Sequence, residues 1–450
     1  MEAVAEEDTP RKGVPFHLVL GALALLVSEA LLLTGVEPVH TYFYCFAWWS
    51  YILLVDGWVK WREGESLLLD RTREFAVLCF WSVAFWNLFE LFNFVLRDWY
   101  YVEVPPARLG QALNMALAFA TVLPGTFETA ELLGSFGLFE RARTRPWKVG
   151  RRVRGTVFSL GLVCLALPIF QATLFFGLIW GATAFLLEPV VHARGGRSLL
   201  ADFERGDPRR FLRLLAAGFV TGGLWEFFNF WTRTKWIYTV PGLEKVKLFE
   251  MPLLGFLGFP PFVVELYVMY AFLGLFRGGR GWERGAGGRG ARPALALAGA
   301  VLGIAFNAGV FFGIERWTVS SHDEPLAGLP GVSAGEGEKL VTAGLARPFD
   351  LLRAVDRQGL EAVAQASALD PARIQALIPS CRLAEAKGIG VTNVRLLERV
   401  GVRDLAGLST RDPENLTLSL ETAAEASGLP APREPQVEVW IGEARRLAGR

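Results

Sequence analysis

Two stretches of the chain hold the residue types best suited to chemistry, and each is a version of the other. Residues 89–105 read FELFNFVLRDWYYVEVP and residues 225–241 read WEFFNFWTRTKWIYTVP. Both set a glutamate and an asparagine three apart in apolar sequence, Glu90 with Asn93 and Glu226 with Asn229. That spacing puts the two side chains on one helix face, and Trp86 extends the first face by a turn. A carboxyl in a spanning helix costs roughly 2.5–3.5 kcal/mol on insertion scales, so it must face a partner or a wet cavity. One reading is a substrate, ion or proton site; the other is a polar bond that holds helices together. Duplication favours the first, because packing alone rarely demands the same acid twice.

A second pair of acids lies deeper. LPGTFETAELL (123–133) aligns with FPPFVVELYVM (259–269), which matches Pro124 to Pro261 and Glu128 to Glu265. Proline loosens a helix and frees carbonyls that can line a cavity, where the nearby acid could complete a cation or hydroxyl site. The plainer alternative is a kinked helix whose acid bonds to Thr126 or Thr129. Each upper pair is followed by Arg, Trp-x-Tyr and Val-Pro: Arg97, Trp99, Tyr101 and Pro105 in one copy, Arg233, Trp236, Tyr238 and Pro241 in the other. Such residues anchor helix ends at headgroup depth. Alternatively they form an aromatic lid, with Arg97 and Arg233 offering bidentate binding to a phosphate or carboxylate.

The elements that must position these residues are helices in a membrane. The 450 residues are 52% hydrophobic and only 20% charged, with positive mean hydropathy, and the apolar residues are clumped. That excludes an ordinary soluble domain. Nine runs are predicted to span the membrane: 14–34, 40–59, 75–96, 112–136, 156–173, 175–192, 211–231, 252–276 and 294–314. The fifth and sixth form a tight hairpin broken near Pro168. With the N-terminus inside, that side carries 23 Lys and Arg (Arg11 and Lys12 among them) against six on the other: Arg97, Arg108, Arg233, Lys235, Lys245 and Lys247. The N-terminus is therefore expected in the cytoplasm and the C-terminal region outside, in an inner (cytoplasmic) membrane. No cleaved signal is evident.

The duplication extends to loops Arg62-x-Gly64-x-Ser66-Leu67-Leu68 and Arg194-x-Gly196-x-Ser198-Leu199-Leu200, each preceded by one acid, Asp56 or Glu188. Ser66 and Ser198 are read as helix caps. Spans one to four and five to eight thus form two four-helix repeats, at 14–139 and 156–276. Four is even, so both copies face the same way, and a cavity between them is the expected site. A cytoplasmic tail (1–13), a basic linker (140–155), a Gly/Arg-rich loop (277–293), the ninth span (294–314) and a linker (315–328) complete this part.

From 329 to 450 the composition turns polar and repeats again. Gly331 matches Gly388, Leu340 matches Leu397, and Gly344 matches Gly401, each copy being a short helix, a Gly-rich hairpin and an amphipathic helix. This segment resembles the helix-hairpin-helix fold, and with PENL (413–416) and VEVWIGEARRL (437–447) it is similar to an uncharacterised tandem family of that class. In helix-hairpin-helix proteins, hairpins such as Gly388-Ile389-Gly390 offer N–H groups to DNA phosphates. Residues 315–450 carry 16 basic against 19 acidic residues, so nucleic acid is not the expected partner. A protein partner, or self-association, is.

The membrane region is similar to uncharacterised bacterial multi-pass proteins. The order of acid, Trp-x-Tyr, Pro and further acid loosely resembles membrane-embedded carotenoid cyclases and hydratases, whose intramembrane acids protonate polyenes. His17, His40, His192 and His322 are scattered, and Cys45, Cys79, Cys164 and Cys381 form no CxxC, so no metal site or cofactor is expected. The reading is an all-α polytopic protein that binds or transports a small solute or lipid between two repeats. Its alternatives are an acid–base enzyme acting on a lipid or isoprenoid and a scaffold presenting the C-terminal domain. Membrane lipids are partners in every case.

Overall fold

The computed structural model describes residues 13–240, 246–285 and 293–448, and is mostly helical. Arg11, Lys12, Pro241, Lys245 and part of the loop expected at 277–293 lie outside the described residues. The chain divides into two compact units. The first holds the residues up to Leu96, Asn114–Thr232 and Leu253–Phe311; the second holds Arg97–Leu113, Arg233–Pro252 and the chain from Phe312 onward. The segments 97–113 and 233–252, assigned by sequence to the membrane repeats, therefore cluster with the C-terminal residues.

The first unit is built from helices α1 (Phe16–Thr34), α2 (Val39–Glu63), α3 (Thr72–Leu96), α4 (Arg108–Phe119, which crosses the unit boundary), α5 (Val122–Ser135), α6 (Arg151–Phe170), α7 (Ala172–Phe175), α8 (Ile179–Ala193), α9 (Leu199–Glu204), α10 (Arg209–Trp231), α11 (Phe259–Phe276) and α12 (Pro293–Trp317, whose last turns from Phe312 belong to the second unit). Among the described residues, seven helical stretches are long and apolar enough to cross a membrane: Phe16–Thr34, Thr72–Leu96, Arg151–Phe170, Ala172–Ala193, Arg209–Trp231, Leu253–Phe276 and Pro293–Trp317. The chain is thus an all-α protein compatible with multi-pass membrane insertion.

The runs at 40–59 and 112–136 differ from the other seven for physical reasons. Helix α2 is rich in Trp and Tyr and ends in Asp56, Lys60 and Arg62, yet it buries Phe43, Ala47, Trp48, Ile52, Val55 and Val59, so much of its surface faces protein. The run at 112–136 is two helices. Their junction at residues 120–121 is held by Ser82 of α3, whose hydroxyl donates to the Phe119 carbonyl (2.5 Å) and accepts from the Leu123 N–H (3.0 Å). A polar side chain from a neighbour thereby satisfies groups that the break frees.

Close helix pairs use glycine. A Cβ on Gly21 would lie 2.4 Å from the Leu54 nitrogen, and one on Gly161 2.7 Å from that of Leu186. The α1–α2 and α6–α8 contacts therefore depend on absent side chains, as in small-residue packing within membranes. Pro168 stays inside α6; the hairpin turns at Gln171 instead.

In the second unit, β1 (Trp99–Val102) pairs antiparallel with β2 (Lys235–Tyr238), while β3 (Lys247–Leu248) pairs with β4 (Met251–Pro252). Eight further helices follow: α13 (Ala334–Thr342), α14 (Pro348–Gln358), α15 (Leu360–Ser367), α16 (Pro371–Glu385), α17 (Gly390–Arg399), α18 (Leu405–Ser409), α19 (Pro413–Glu425) and α20 (Glu434–Ala448). Side chains start several of them. Ser333 and Glu336 form a reciprocal capping box, and Asp370, Asp404 and Asp412 accept backbone N–H groups at the first turns of α16, α18 and α19. Gly331, Gly344, Gly388 and Gly401, paired in the sequence, all adopt left-handed φ between 62° and 79°. That backbone region favours glycine. Leu351, Ile374, Leu396 and Trp440 lie at the centre of the core.

Candidate functional site

The upper acids lie in an aromatic interior. Glu90, Asn93, Glu226 and Asn229 are fully buried in the first unit. Glu90 accepts the Trp86 indole N–H at 2.8 Å, one turn back on the same face. The rings around them interlock between the two sequence-matched segments. Trp86 meets Trp225 with centroids 6.4 Å apart. Phe89 stacks on Trp180 (5.3 Å, 12° between planes), while Trp225, the residue aligned with Phe89, packs on Trp48 (5.7 Å). Trp48 and Trp180 themselves align when counted back from the two Arg-x-Gly-x-Ser loops.

The lower acids are equally buried but differently served. Glu265 accepts both the N–H and the hydroxyl of Thr183, each at 2.7 Å. At the position matching Thr183 stands Tyr51, whose hydroxyl bonds to Thr129 at 2.8 Å. Glu128 meets no donor group of this kind and instead faces the carboxyl of Asp56. The hydroxyls that its sequence offered are used elsewhere: Thr126 donates to the Val122 carbonyl (2.9 Å) and Thr129 to that of Gly125 (2.6 Å).

The matched loops close on their own acids. Asp56 accepts the Ser66 hydroxyl and the N–H groups of Leu67 (2.7 Å) and Leu68 (3.0 Å), with His17 Nε2 at 2.9 Å. Glu188 accepts the Ser198 hydroxyl (2.5 Å) and the Leu200 N–H (2.8 Å). The loop amides are thus taken up by carboxyl groups of the protein itself. Ser198 also caps α9.

A cavity of about 400 Å³ opens between α5, α10 and the segment that follows α11. Glu131 and Ser135 of α5 form one wall, Arg210 and Arg213 of α10 another, and Trp282 and Glu283 a third. Its charges are largely matched. Arg197 pairs with Glu283 (3.0 Å), Arg71 with Glu131 (3.3 Å), and Arg284 with Glu63 (2.9 Å), while Arg210 donates to Tyr267 (2.6 Å). Sequence reasoning named Glu128 and Glu265 but missed this cavity. The signal available was the excess of Arg on that side, which was used for orientation only.

The Trp-x-Tyr segments form a different structure from that expected. Trp99, Tyr101 and Tyr238 are buried and Trp236 half-buried, all in the β1–β2 pair. The register matches Trp99 with Tyr238, Tyr100 with Ile237, and Tyr101 with Trp236. In the ungapped match of the two stretches Tyr100 is equivalent to Trp236 and Tyr101 to Ile237, so the register crosses these equivalents and the pair closes about the point between them. The only local strand signal in WYYVEV and KWIYTV is their enrichment in aromatic and β-branched residues, without apolar/polar alternation.

Arg97 and Arg233 are not alike. Arg97 is exposed, with left-handed φ, and its carbonyl accepts the Thr239 hydroxyl (2.6 Å). Arg233 is buried, and its Nη2 lies 3.1 Å from Glu103, 3.0 Å from Asp323 and 3.1 Å from Glu385, with the guanidinium over the Phe349 ring. Three acidic side chains of the protein thus occupy the group expected to bind a ligand's anion. Burial, and then the neighbouring Glu385, push the Glu103 carboxyl up to about 8; Arg233 opposes them.

The hairpin at Gly388, Ile389 and Gly390 is covered within the same unit. A Cβ on Gly388 would sit 2.2 Å from Val102 of β1, and one on Gly390 2.7 Å from Ser321. Lys387 donates to both oxygens of Glu250 at 2.7 Å. Burial lowers the nearby Lys235 ammonium to about 8.

Residues 330–447 match a domain-family model described as a domain of unknown function (DUF4332). No curated protein and no solved structure matches the chain.

Proposed function

We propose that the first unit binds a small polar solute, or moves protons coupled to one, at the interface of two like-facing four-helix repeats. The cavity of about 400 Å³ between the halves carries this reading, because Glu131 stands in its wall and the neighbouring buried acid, Glu128, faces the carboxyl of Asp56, an arrangement suited to holding a proton. Glu131 lies in the cavity wall one turn from Glu128 on the same face of α5. A solute bearing both charges suits walls that alternate Arg and Glu. Glu265, Glu90, Glu226, Asn93 and Asn229 then form the remainder of the path.

Support for the repeats comes from matched geometry: the Asp56 and Glu188 loops, the exchanged Phe89–Trp180 and Trp225–Trp48 contacts, and strands that pair about equivalent residues. A two-fold axis along the membrane normal generates such relations. On this reading all nine runs span, the N-terminus is cytoplasmic and the C-terminal domain is outside. That domain is a tandem helix-hairpin-helix module whose partner is a protein, since its second hairpin already faces Val102 and Glu250. Membrane lipids surround the first unit.

Native mass spectrometry of the detergent-purified chain tests the site. A small molecule is expected to co-purify with the wild type and to be lost in Glu128→Gln and Glu226→Gln variants that keep the wild-type helical signal. Equal retention in both variants would refute the assignment.

A further inference from the structure

A second feature of the first unit lies away from the cavity between its halves. Helix α12 is fastened to α3 at two points: Asn87 donates to Asn307 at 2.8 Å in a buried bond, and Gly303 lies so near Phe80 that a Cβ would stand 2.9 Å from the ring. Toward its N-terminus α12 diverges, and a wedge of about 870 Å³ opens between α3, α11 and α12. This is within the range of about 300–1,000 Å³ typical of ligand-holding pockets. Its walls are Val77 and Trp81 of α3, Leu273 of α11, and Leu295, Gly299 and Leu302 of α12.

The mouth of the wedge is charged, and most of its charges are already matched. Asp70 is held by Lys60 (3.2 Å), Arg71 by Glu65 (3.0 Å) and Glu131 (3.3 Å), and Glu74 takes Arg277 through both oxygens. Arg73 and Arg280 remain, with no acidic partner among the described residues. Arg73 also stands in the first turn of α3, where a cation opposes the helix dipole and an anion is favoured. The mouth lies where α3 begins, α11 ends and α12 begins, on the side richer in Lys and Arg.

We propose that this wedge binds a membrane phospholipid with an anionic headgroup, its phosphate between Arg73 and Arg280 and an acyl chain along Trp81, Leu295 and Leu302. The apolar walls require a chain, and the two unmatched cations require an anion. A lipid of the basic leaflet side carries both. The site does not depend on the solute path proposed above.

The test uses the full chain purified in detergent, with dioleoyl phosphatidylglycerol or dioleoyl phosphatidylcholine added at equal concentration and retained lipid counted by native mass spectrometry. The anionic lipid is expected to be retained about 30-fold better, from about 1 kcal/mol for each of two basic residues at about 1.4 kcal/mol per tenfold. Arg73→Gln combined with Arg280→Gln removes that preference, while Gly299→Leu, whose Cβ meets only Trp81 at 3.6 Å, fills the wedge and lowers retention of both lipids. Arg145→Gln, on an exposed residue elsewhere, leaves retention unchanged. Glycerol phosphate, which has the charge but no chain, does not displace the lipid. A preference that survives the paired Arg variant, or displacement by glycerol phosphate as effective as by lipid, overturns the proposal.

Discussion

Replacing Arg233 with Met tests whether a single guanidinium holds the second unit together. Removing one partner of a buried ion pair costs about 3–5 kcal/mol, because the other charge is left without compensation. Two features reduce that figure here. The side chains of Asp323 and Glu385 keep 15% and 20% of their exposure, and Glu103, raised to about 8, already holds its proton at neutral pH. A local loss of about 2–3 kcal/mol is expected, less than the range for a fully enclosed pair. The assay is amide hydrogen exchange on the full chain in detergent, read at Ile389 and Thr392, whose N–H groups bond to the Ala386 carbonyl (3.1 Å) and to Glu324 (2.6 Å). At about 1.4 kcal/mol per decade, these amides should exchange roughly 30–150-fold faster in Arg233→Met. Peptides from α6 and α8 should not change. Exchange within threefold of wild type at both amides would refute the argument, and equal acceleration in α6 and α8 would show general unfolding instead.

Three further outcomes are expected. Since the folded-state carboxyl of Glu103 is raised to about 8, above its unfolded value, the folded protein holds a proton that the unfolded chain releases. Its contribution is fully present below the unfolded value and is lost as pH rises toward 8, so protection at Ile389, taken relative to the intrinsic base-catalysed exchange rate at each pH, should fall between pH 5 and 8, and Glu103→Gln should flatten that dependence. Gly388→Ala combines a left-handed φ of 62° with a clash against Val102; a loss of about 2–4 kcal/mol from strain and overpacking should appear as a lower unfolding midpoint of the second unit, and an unchanged midpoint would contradict the close approach. For the buried Asn87–Asn307 bond, a double-mutant cycle with leucine should give a coupling of about 0.6 kcal/mol, with about 1.7 as its ceiling. Zero coupling would mean that the asparagine pair does not help to fasten α12 to α3.

The course of the helices was legible because lipid and protein interiors both reject unpaired backbone, so long apolar runs have few alternatives. The positions of Glu90, Glu226, Glu128 and Glu265 within those helices follow from spacing, and the starts of α13, α16, α18 and α19 follow from Ser and Asp at their caps. The break at residues 120–121 was hidden, since the group that stabilises it is Ser82, about forty residues earlier. The sequence reads the Trp-x-Tyr segments as helix-end anchors or an aromatic lid, because a strand four residues long is defined by its partner, and each partner is the other copy.

By itself, then, the sequence determined a helical, membrane-compatible chain with internal duplication and acids set inside apolar runs. Tertiary structure alone decided what those acids meet. It gave Glu265 the Thr183 hydroxyl, set Glu128 against Asp56, and turned Arg233 from a ligand-binding candidate into the centre of an ion cluster. The reason is distance along the chain. Periodicity and capping act over a few residues, whereas Arg233 meets acids contributed by residues 103, 323 and 385, and no local pattern encodes their convergence.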